Sequence, residues 1–514
     1  MANGRPSVLV SPNSYFCGVL EHELFVNGRK NMAEARPKEK AVRTDSNPSH
    51  SSYSSSDMAP ITPPVDEEAG CFKFLVPHKR NSRKGSLLHN NPTLLDHIIG
   101  TFYGNCAGDA IGLLTEFMDR EEAHRNYGKY KNLEYKHKIP DMHRYRWETG
   151  DWTDDSDQMI LIMQSLTENN GKIDPKDYGG RIKVWMKRGF QELGDFGGMG
   201  IGATTMAVLT HPKFQDNPHE AAADVWEKSG RYAAPNGAVM RTAILGIHDF
   251  KNIKNVIKNT LDVCKTTHAD PRCQASCVAV TTAIAMMLQK EEKHMTSKGI
   301  MDIEAIIADS FDYAKVHLEI QEQIEELHFH INVKTLRALN LTEEKKIGYT
   351  FKCLGCGFWA LRQRNFRQAI QAILMEAGDA DTNCAVAGAL LGCRVGMQNL
   401  PQTWISGFRH KKWLDEQISK YFTVLDNTLG NSAETLLLTA FKDYLATCPF
   451  VSDDDTRGKI AIEVEFASTS SRGSVDFSSD YTMNNRNKDN KKRRGSAIII
   501  RKPEIKITND QGVS

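Results

Sequence analysis

The stretch Gly104-Asn105-Cys106-Ala107-Gly108-Asp109-Ala110-Ile111-Gly112 decides the fold, because it repeats a glycine at every fourth position. Residues four apart lie on the same face of an α-helix, so these glycines form a face without side chains. Each glycine inside a helix costs about 1 kcal/mol relative to alanine. The pattern therefore predicts a helix whose backbone lies very close to the backbone of a neighbouring element.

The sequence around this stretch predicts an all-α domain. Apolar residues at helical spacing predict a helix over 94–115. Largely apolar stretches at 158–166, 275–288 and 382–392 predict further buried helices. The last of these contains a second run of small residues at four-residue steps, which ends at Gly392. Strand patterns are few in this part of the chain.

Composition divides the 514 residues into three zones. Residues 1–92 are polar and rich in serine, so we expect a disordered N-terminal extension. Residues 93–450 carry the helical patterns and are long enough to bury a substantial core. Residues 451–514 are expected to be a mostly disordered tail with short strand-like segments. One such segment is 459–466, where apolar and polar residues alternate.

Charge and cysteine usage exclude several classes of protein. The formal net charge is only +1, so we expect neither nucleic acid nor an anionic membrane as a partner. No run of about 18 apolar residues predicts a membrane span, and Met1 to Leu20 shows no secretory signal. The eleven cysteines are irregularly spaced, which favours reduced thiols in the cytoplasm or nucleus. A monomer is the simplest expectation.

Two basic clusters, 79–86 and 491–496, lie in the terminal zones. The simpler interpretation is that they are solvated, charged tails. The alternative is nuclear import, or phosphorylation at Ser86 or Ser496, which would add about two negative charges beside each cluster. The expected localisation is therefore cytoplasmic, with the nucleus as the alternative.

The strongest chemical signal is Trp152-Thr153-Asp154-Asp155-Ser156-Asp157-Gln158, which leads into an apolar helix. Adjacent carboxylates at the start of a buried helix are costly unless a cation neutralises them. Aspartate and threonine are also ordinary N-cap residues. For this segment alone, helix capping and metal binding are equally well supported.

A second acidic segment, Gly378-Asp379-Ala380-Asp381-Thr382, also precedes a tightly packed helix. Taken alone, it is better explained as a helix cap. Two such segments, each with two carboxylates and a threonine hydroxyl, change this balance. Hard oxygen ligands suit Mg²⁺ or Mn²⁺ rather than zinc. Brought together, the two segments predict a site for two metal ions.

A third candidate is Glu116, which directly follows the predicted glycine-faced helix. Its carboxylate could reach a metal ion or a water molecule from that end of the helix. The alternative is a solvated glutamate at a helix end, and the position by itself favours the alternative.

These three segments, in this order, resemble the ADP-ribosylglycohydrolase family. The family pattern is Gly-Asp-Ala-x-Gly with a downstream glutamate, then Thr-Asp-Asp, then Gly-Asp-x-Asp-Thr. Here it is matched by 108–112 with Glu116, by 153–155 and by 378–382. Ser156-Asp157 departs from the pattern, because relatives more often carry threonine and a small or acidic residue there.

Three further elements match the family in order. Gly197-Gly198-Met199-Gly200-Ile201-Gly202 is similar to the glycine loop that approaches the diphosphate. Residues 235–241, Pro-Asn-Gly-Ala-Val-Met-Arg, and Thr267-His268 are similar to elements that line the ADP-ribose cleft. The resemblance implies that substrate contacts come from Gly197, Gly198, Gly200, Gly202, Asn236, Gly237, Ala238 and His268.

The resemblance also implies an all-α domain of orthogonally packed helices with two Mg²⁺ ions, or Mn²⁺ in their place. The implied metal ligands are Glu116, Thr153, Asp154, Asp155, Asp379, Asp381 and Thr382. Two cations could grip the adjacent hydroxyls of a ribose and stabilise an attacking water. Glu116 or Asp155 would then accept the water proton, and the sequence does not choose between them.

We therefore predict a metal-dependent hydrolase that cleaves the glycosidic bond of an ADP-ribosylated protein or a related ADP-ribose conjugate. The candidate substrates are ADP-ribosyl-arginine or ADP-ribosyl-serine on proteins, and O-acetyl-ADP-ribose. The alternatives are a non-catalytic ADP-ribose-binding member of the same fold, and a structural protein whose carboxylates only cap helices.

Overall fold

The computed structural model describes residues 92–430 and 436–447. Most of the terminal zones, including the strand predicted at 459–466 and both basic clusters, lies outside the described residues. The domain boundaries at 92 and 450 therefore remain predictions.

The described residues form 16 α-helices. In chain order they are Leu94–Gly112 (α1), Arg120–Tyr127 (α2), Asp154–Glu168 (α3), Pro175–Arg188 (α4), Ala203–Leu209 (α5), Pro218–Lys228 (α6), Ile253–Cys264 (α7), Pro271–Gln289 (α8), Ile303–Lys315 (α9), Gln321–Ile331 (α10), Thr350–Leu361 (α11), Phe366–Leu374 (α12), Ala380–Val395 (α13), Gln402–Ile405 (α14), Lys411–Leu429 (α15) and Leu437–Thr447 (α16).

Short 3₁₀ helices and isolated bridges complete the regular structure. The 3₁₀ helices are Tyr135–His137, Arg144–Arg146, Gln191–Leu193, Thr242–Gly246, Glu292–His294, Leu336–Leu339 and Met397–Asn399. In the described part of the chain, β-structure is limited to two isolated bridges, Pro235 with Tyr349 and Met295 with Met301. The predicted all-α fold is confirmed. No described helix is long and apolar enough to cross a bilayer.

Helices α1 and α13 form the centre of the domain, and both are buried along almost their whole length. They run antiparallel, because Gly100 faces Gly392 while Gly112 faces Ala380. A Cβ atom on Gly104 would overlap the carbonyl oxygen of Gly388. The backbone-to-backbone contact predicted from the glycine spacing is therefore confirmed.

The predicted end of the first helix, at residue 115, is wrong by three residues. Helix α1 stops at Gly112, and the chain turns through 113–117. Because α1 and α13 are antiparallel, this turn lies beside the start of α13. The turn therefore carries Glu116 towards the segment that contains Asp379.

Around this central pair, α8 packs against α7, α9, α11 and α13, while α15 packs against α3. Helix α8 is buried from Ala275 to Leu288, as predicted for this stretch. Helix α8 therefore contributes to the core on most of its sides, whereas α7 keeps an exposed face.

All cysteines of the described residues are free and buried, in agreement with the predicted reduced thiols.

Gly388→Ala is expected to lower the free energy of unfolding by about 3 kcal/mol or more, because its methyl group would overlap backbone atoms that cannot move aside. Gly180→Ala in α4 is the control, since no atom lies within 4 Å of a Cβ atom there. That substitution should stabilise the helix by up to about 1 kcal/mol. Urea denaturation measures both, and equal effects would contradict the close packing of α1 and α13.

Candidate active site

Six carboxylates converge where the end of α1, the start of α3 and the start of α13 meet. They are Asp109, Glu116, Asp154, Asp155, Asp379 and Asp381, and we call them the acidic cluster. All are buried except Asp379, which is partly exposed. One oxygen each from Asp109, Asp155 and Asp381 lies within 4.8 Å of the other two. Residues that are far apart in the sequence therefore share one small volume.

Asp109 on α1 holds the start of α3. Its carboxylate accepts hydrogen bonds from the backbone N–H groups of Thr153 and Ser156, at 3.0 Å each, and from the Ser156 hydroxyl at 2.6 Å. An aspartate normally caps its own helix, whereas this one caps a helix 44 residues away. The motifs do not indicate this role for Asp109, although a carboxylate between the glycines of a buried helix face is a signal from which it could have been predicted.

The capping interpretation of the two acidic segments is wrong for the residues at the cap positions. Thr153 and Asp379 occupy the N-cap positions of α3 and α13, but neither side chain accepts a capping hydrogen bond. The Thr153 hydroxyl instead lies 3.1 Å from Asp155 Oδ2 and 3.4 Å from Asp381 Oδ2. Because Asp109 caps α3 from outside, Thr153 is free to face the acidic cluster.

Glu116 is held in place by a clamp of backbone contacts. Phe117 donates its N–H to the Gly378 carbonyl at 2.7 Å, and Gly378 donates to the Met118 carbonyl at 3.1 Å. Gly378 has a φ of +73°, which favours glycine. The Arg144 guanidinium also donates to the carbonyl of Glu116. These contacts fix the turn after α1 against the segment that contains Asp379.

His143 is a residue of the site that could not be predicted from the sequence. Its Nε2 atom lies 2.6 Å from Glu116 Oε2, and its ring packs against Phe117 with centroids 5.0 Å apart. No motif marks this histidine in the sequence. It comes close to Glu116 only because the 3₁₀ helix Arg144–Arg146 folds back onto the end of α1.

The carboxylates of the acidic cluster repel one another. Burial raises the pKa of Asp154, Asp155 and Asp381 well above the usual range, and neighbouring negative charges raise it further. Burial also raises the pKa of Asp109, although hydrogen bonds from Ser156 and Thr153 oppose this effect. As isolated protein groups, these carboxylates are strained electrostatically whenever they are all ionised.

The chemistry of this donor set fits a cation. Within the described part of the chain, the only salt-bridge partner of the six carboxylates is His143, which contacts Glu116. Asp155 Oδ1 is fully buried and has no hydrogen-bond partner there. A buried carboxylate oxygen without a partner costs several kcal/mol unless a positive charge faces it. Hard oxygen donors of this kind suit Mg²⁺ or Mn²⁺.

The residues predicted from the Asn-Gly-Ala and Thr-His elements lie along one side of the acidic cluster. Asn236 donates from Nδ2 to Asp379 Oδ2 at 3.0 Å. Gly237 lies against the His268 ring, since a Cβ atom on Gly237 would be 3.1 Å from His268 Nε2. Ala238 and His268 are buried. These residues therefore form a wall that continues from the carboxylates.

The predicted glycine loop contacts the acidic cluster at one residue. Gly200, with a φ of +94°, lies directly against the Asp154 carboxylate, so that any side chain there would overlap it. Gly197 and Gly198 pack against α4 instead, and Gly198 faces the Trp185 ring. Gly202 precedes the short helix α5, and no atom lies within 4 Å of a Cβ atom placed on it. The loop is thus anchored at its middle and open at its end.

Comparison with known proteins identifies the family. Residues 90–431 match the model of the ADP-ribosylglycohydrolase family, and the chain belongs to this family. The chain is 22% identical over 315 residues to ADP-ribosylarginine hydrolase Tri1 of Serratia proteamaculans, covering 60% of this chain and 75% of that protein.

Two further similar proteins were found. The chain is 22% identical to ADP-ribosyl-[dinitrogen reductase] glycohydrolase of Rhodospirillum rubrum, covering 61% of this chain and 91% of that protein. A solved structure titled ADP-ribosylglycohydrolase-related protein complex has 23% identity and a TM-score of 0.48, covering 65% of this chain and 99% of that one.

In the presence of chelator, Asp381→Asn should raise the free energy of unfolding relative to that of the wild type, and this difference should grow as the pH rises. A carboxylate whose pKa is raised on folding binds protons more tightly in the folded state, so its stabilising contribution is lost as pH rises above about 4. We expect the difference in unfolding free energy between variant and wild type to change by on the order of 1 kcal/mol between pH 5 and pH 8. Buried histidines titrate in both proteins and cancel in this difference. A difference independent of pH in urea denaturation would contradict the repulsion within the acidic cluster.

Proposed function

We propose that this chain is a hydrolase that cleaves the glycosidic bond of ADP-ribosylated protein side chains or of a related ADP-ribose conjugate. The observation that carries the proposal is the buried acidic cluster, which has no lysine or arginine partner in the described part of the chain. Family membership and the names of the similar proteins support the same reaction. A purely structural protein has no use for such an unfavourable arrangement.

We further propose that the acidic cluster holds two Mg²⁺ ions, with Mn²⁺ as the substitute. The residues that would hold them are Glu116, Thr153, Asp154, Asp155, Asp379, Asp381 and Thr382. Asp109 is assigned to the support of α3, because its oxygens already accept three hydrogen bonds from Thr153 and Ser156. When bound, the ions would orient the ribose hydroxyls and lower the pKa of a water molecule.

The protein side chains would contribute proton transfer and charge stabilisation. We assign Glu116 as the acceptor of the water proton for two reasons. His143 contacts one of its two carboxylate oxygens, Oε2, and leaves Oε1 available. Glu116 also lies outside the closest group of carboxylates, which is formed by Asp109, Asp155 and Asp381. Asp155 belongs to that closest group, so its oxygens are better placed to hold a cation. The remaining carboxylates would favour the positively charged sugar that forms as the glycosidic bond breaks.

The wall of Asn236, Gly237, Ala238 and His268 and the glycine loop around Gly200 would bind the ADP-ribose part of the substrate. The candidate acceptors remain arginine and serine side chains, and O-acetyl-ADP-ribose. The name of the Serratia relative supports arginine first. We place the activity in the cytoplasm or the nucleus, with the protein acting as a monomer.

Hydrolysis of arginine-linked and serine-linked ADP-ribosylated peptides, with and without chelator, tests the proposed reaction. We expect turnover that chelator abolishes and that Mg²⁺ restores, and a loss of at least about 100-fold in Asp381→Asn. The control is Asp415→Asn, which alters a buried carboxylate that is paired with Lys411 at 2.6 Å, away from the site. This variant should lose stability but keep turnover. ADP-ribose binding without turnover in the wild type would favour a non-catalytic binding protein, and binding of neither ligand would favour a structural protein.

Glu116→Gln is expected to lower kcat by about 100-fold or more at saturating Mg²⁺ while ADP-ribose binding persists, because the glutamine amide keeps an oxygen that can contact an ion but accepts no proton. Single-turnover kinetics and calorimetric titration separate the two effects. If Asp155→Asn lost kcat to the same extent with unchanged Mg²⁺ affinity, and Glu116→Gln did not, the assignment of the proton acceptor would be reversed.

A further inference from the structure

Arg241 carries a buried positive charge that the proposed reaction does not use. Its side chain is completely buried, and within the described residues it forms no salt bridge with a carboxylate. Its guanidinium donates from Nη1 to Gln158 Oε1 and from Nη2 to Thr267 Oγ1, at 2.6 Å in both cases. Arg241 therefore forms no hydrogen bond with the acidic cluster or with His268, but it donates to one neighbour of each.

We call the two hydrogen bonds of Arg241 its two arms. The first arm, to Gln158, connects Arg241 with the acidic cluster. An arginine can only donate hydrogen bonds, so the Gln158 amide must turn its oxygen towards Arg241. Its Nε2 group then points the other way and donates to Asp154 Oδ2 at 2.7 Å. The guanidinium thus fixes the orientation of the amide, and the amide holds Asp154 as an acceptor.

The second arm, to Thr267, connects Arg241 with His268, which belongs to the wall beside the acidic cluster. Thr267 Oγ1 accepts from Arg241 and lies 2.7 Å from His268 Nδ1. In the described structure, His268 Nδ1 is the only acceptor within reach of the Thr267 hydroxyl proton. Nδ1 must then be unprotonated, and the ring proton of a neutral His268 sits on Nε2.

Two observations agree with this tautomer. Burial, reinforced by the charge of Arg241, lowers the pKa of His268 well below its usual value, so the ring is neutral. The Nε2 edge of the ring faces Gly237, next to the residues that contact Asp379. A donor at Nε2 suits an oxygen atom of a ribose or a phosphate.

We propose that Arg241 is a positioning residue that sets two parts of the site at once: it fixes His268 as an Nε2–H donor through Thr267, and it orients Asp154 through Gln158. The use of this donor for ADP-ribose rests on the proposed function. The tautomer itself does not, because it follows from hydrogen bonds within the protein.

Thr267→Val tests the second arm, because it removes the hydroxyl and keeps the shape. Nitrogen NMR of the full chain with labelled histidine, assigned with His268→Gln, reads the tautomer directly. We expect a single Nε2–H tautomer in the wild type and in Thr267→Ser, and a mixture of both tautomers in Thr267→Val. Thr266→Val is the matched control, since this equally buried hydroxyl donates to the Asp262 carbonyl instead. A wild type with the proton on Nδ1, or a Thr267→Val variant that keeps one Nε2–H tautomer, overturns the proposal.

Calorimetric titration separates the two arms. Thr267→Val should weaken ADP-ribose binding about tenfold and leave Mg²⁺ affinity unchanged, whereas Gln158→Met should weaken Mg²⁺ binding about 10- to 100-fold and leave the tautomer unchanged. Equal effects of both variants on both ligands would contradict a two-armed role. A wild type that binds neither ligand would refute the proposed function, and the tautomer measurement would still test the arm that runs from Arg241 through Thr267 to His268.

Discussion

The contact between the backbones of α1 and α13 is the constraint on which the rest of the molecule depends. Side chains normally keep two helices 8–10 Å apart, whereas glycines here remove that spacing. The antiparallel arrangement then brings the end of one helix to the start of the other. Both of these helix ends carry carboxylates, so the close packing of the two helices brings these carboxylates together in the candidate active site.

In the acidic cluster, hydrogen bonds that fix the backbone leave other side chains available to face the cluster. Asp109 satisfies the backbone N–H groups at the start of α3, and the Thr153 hydroxyl is consequently available to its acidic neighbours. The clamp between Phe117 and Gly378 likewise fixes the backbone at Glu116, whose carboxylate contacts His143. Burial and mutual repulsion leave these oxygens unfavourably placed unless a cation joins them.

The helical fold could be predicted from the sequence, and the resemblance to the family implied that the acidic segments share one site. Glycine spacing predicts the close helix contact because helical periodicity is a local property. The capping role of Asp109, the contact of His143 with Glu116 and the buried position of Arg241 could not be predicted. Each depends on which helices meet in three dimensions, and none leaves a periodic pattern in the chain.

The cap that Asp109 provides for α3, and the later position of Asp381 in the chain, have a consequence for the order in which the protein assembles. Asp109 is synthesised early, whereas the segment around Asp381 leaves the ribosome only after most of the helical domain has been made. A nascent chain that lacks this segment has only four of the six carboxylates of the acidic cluster and no antiparallel partner for α1. The proposed Mg²⁺ site would therefore be complete only when translation of the domain is nearly finished, so ion binding there would stabilise the finished fold and not its early intermediates.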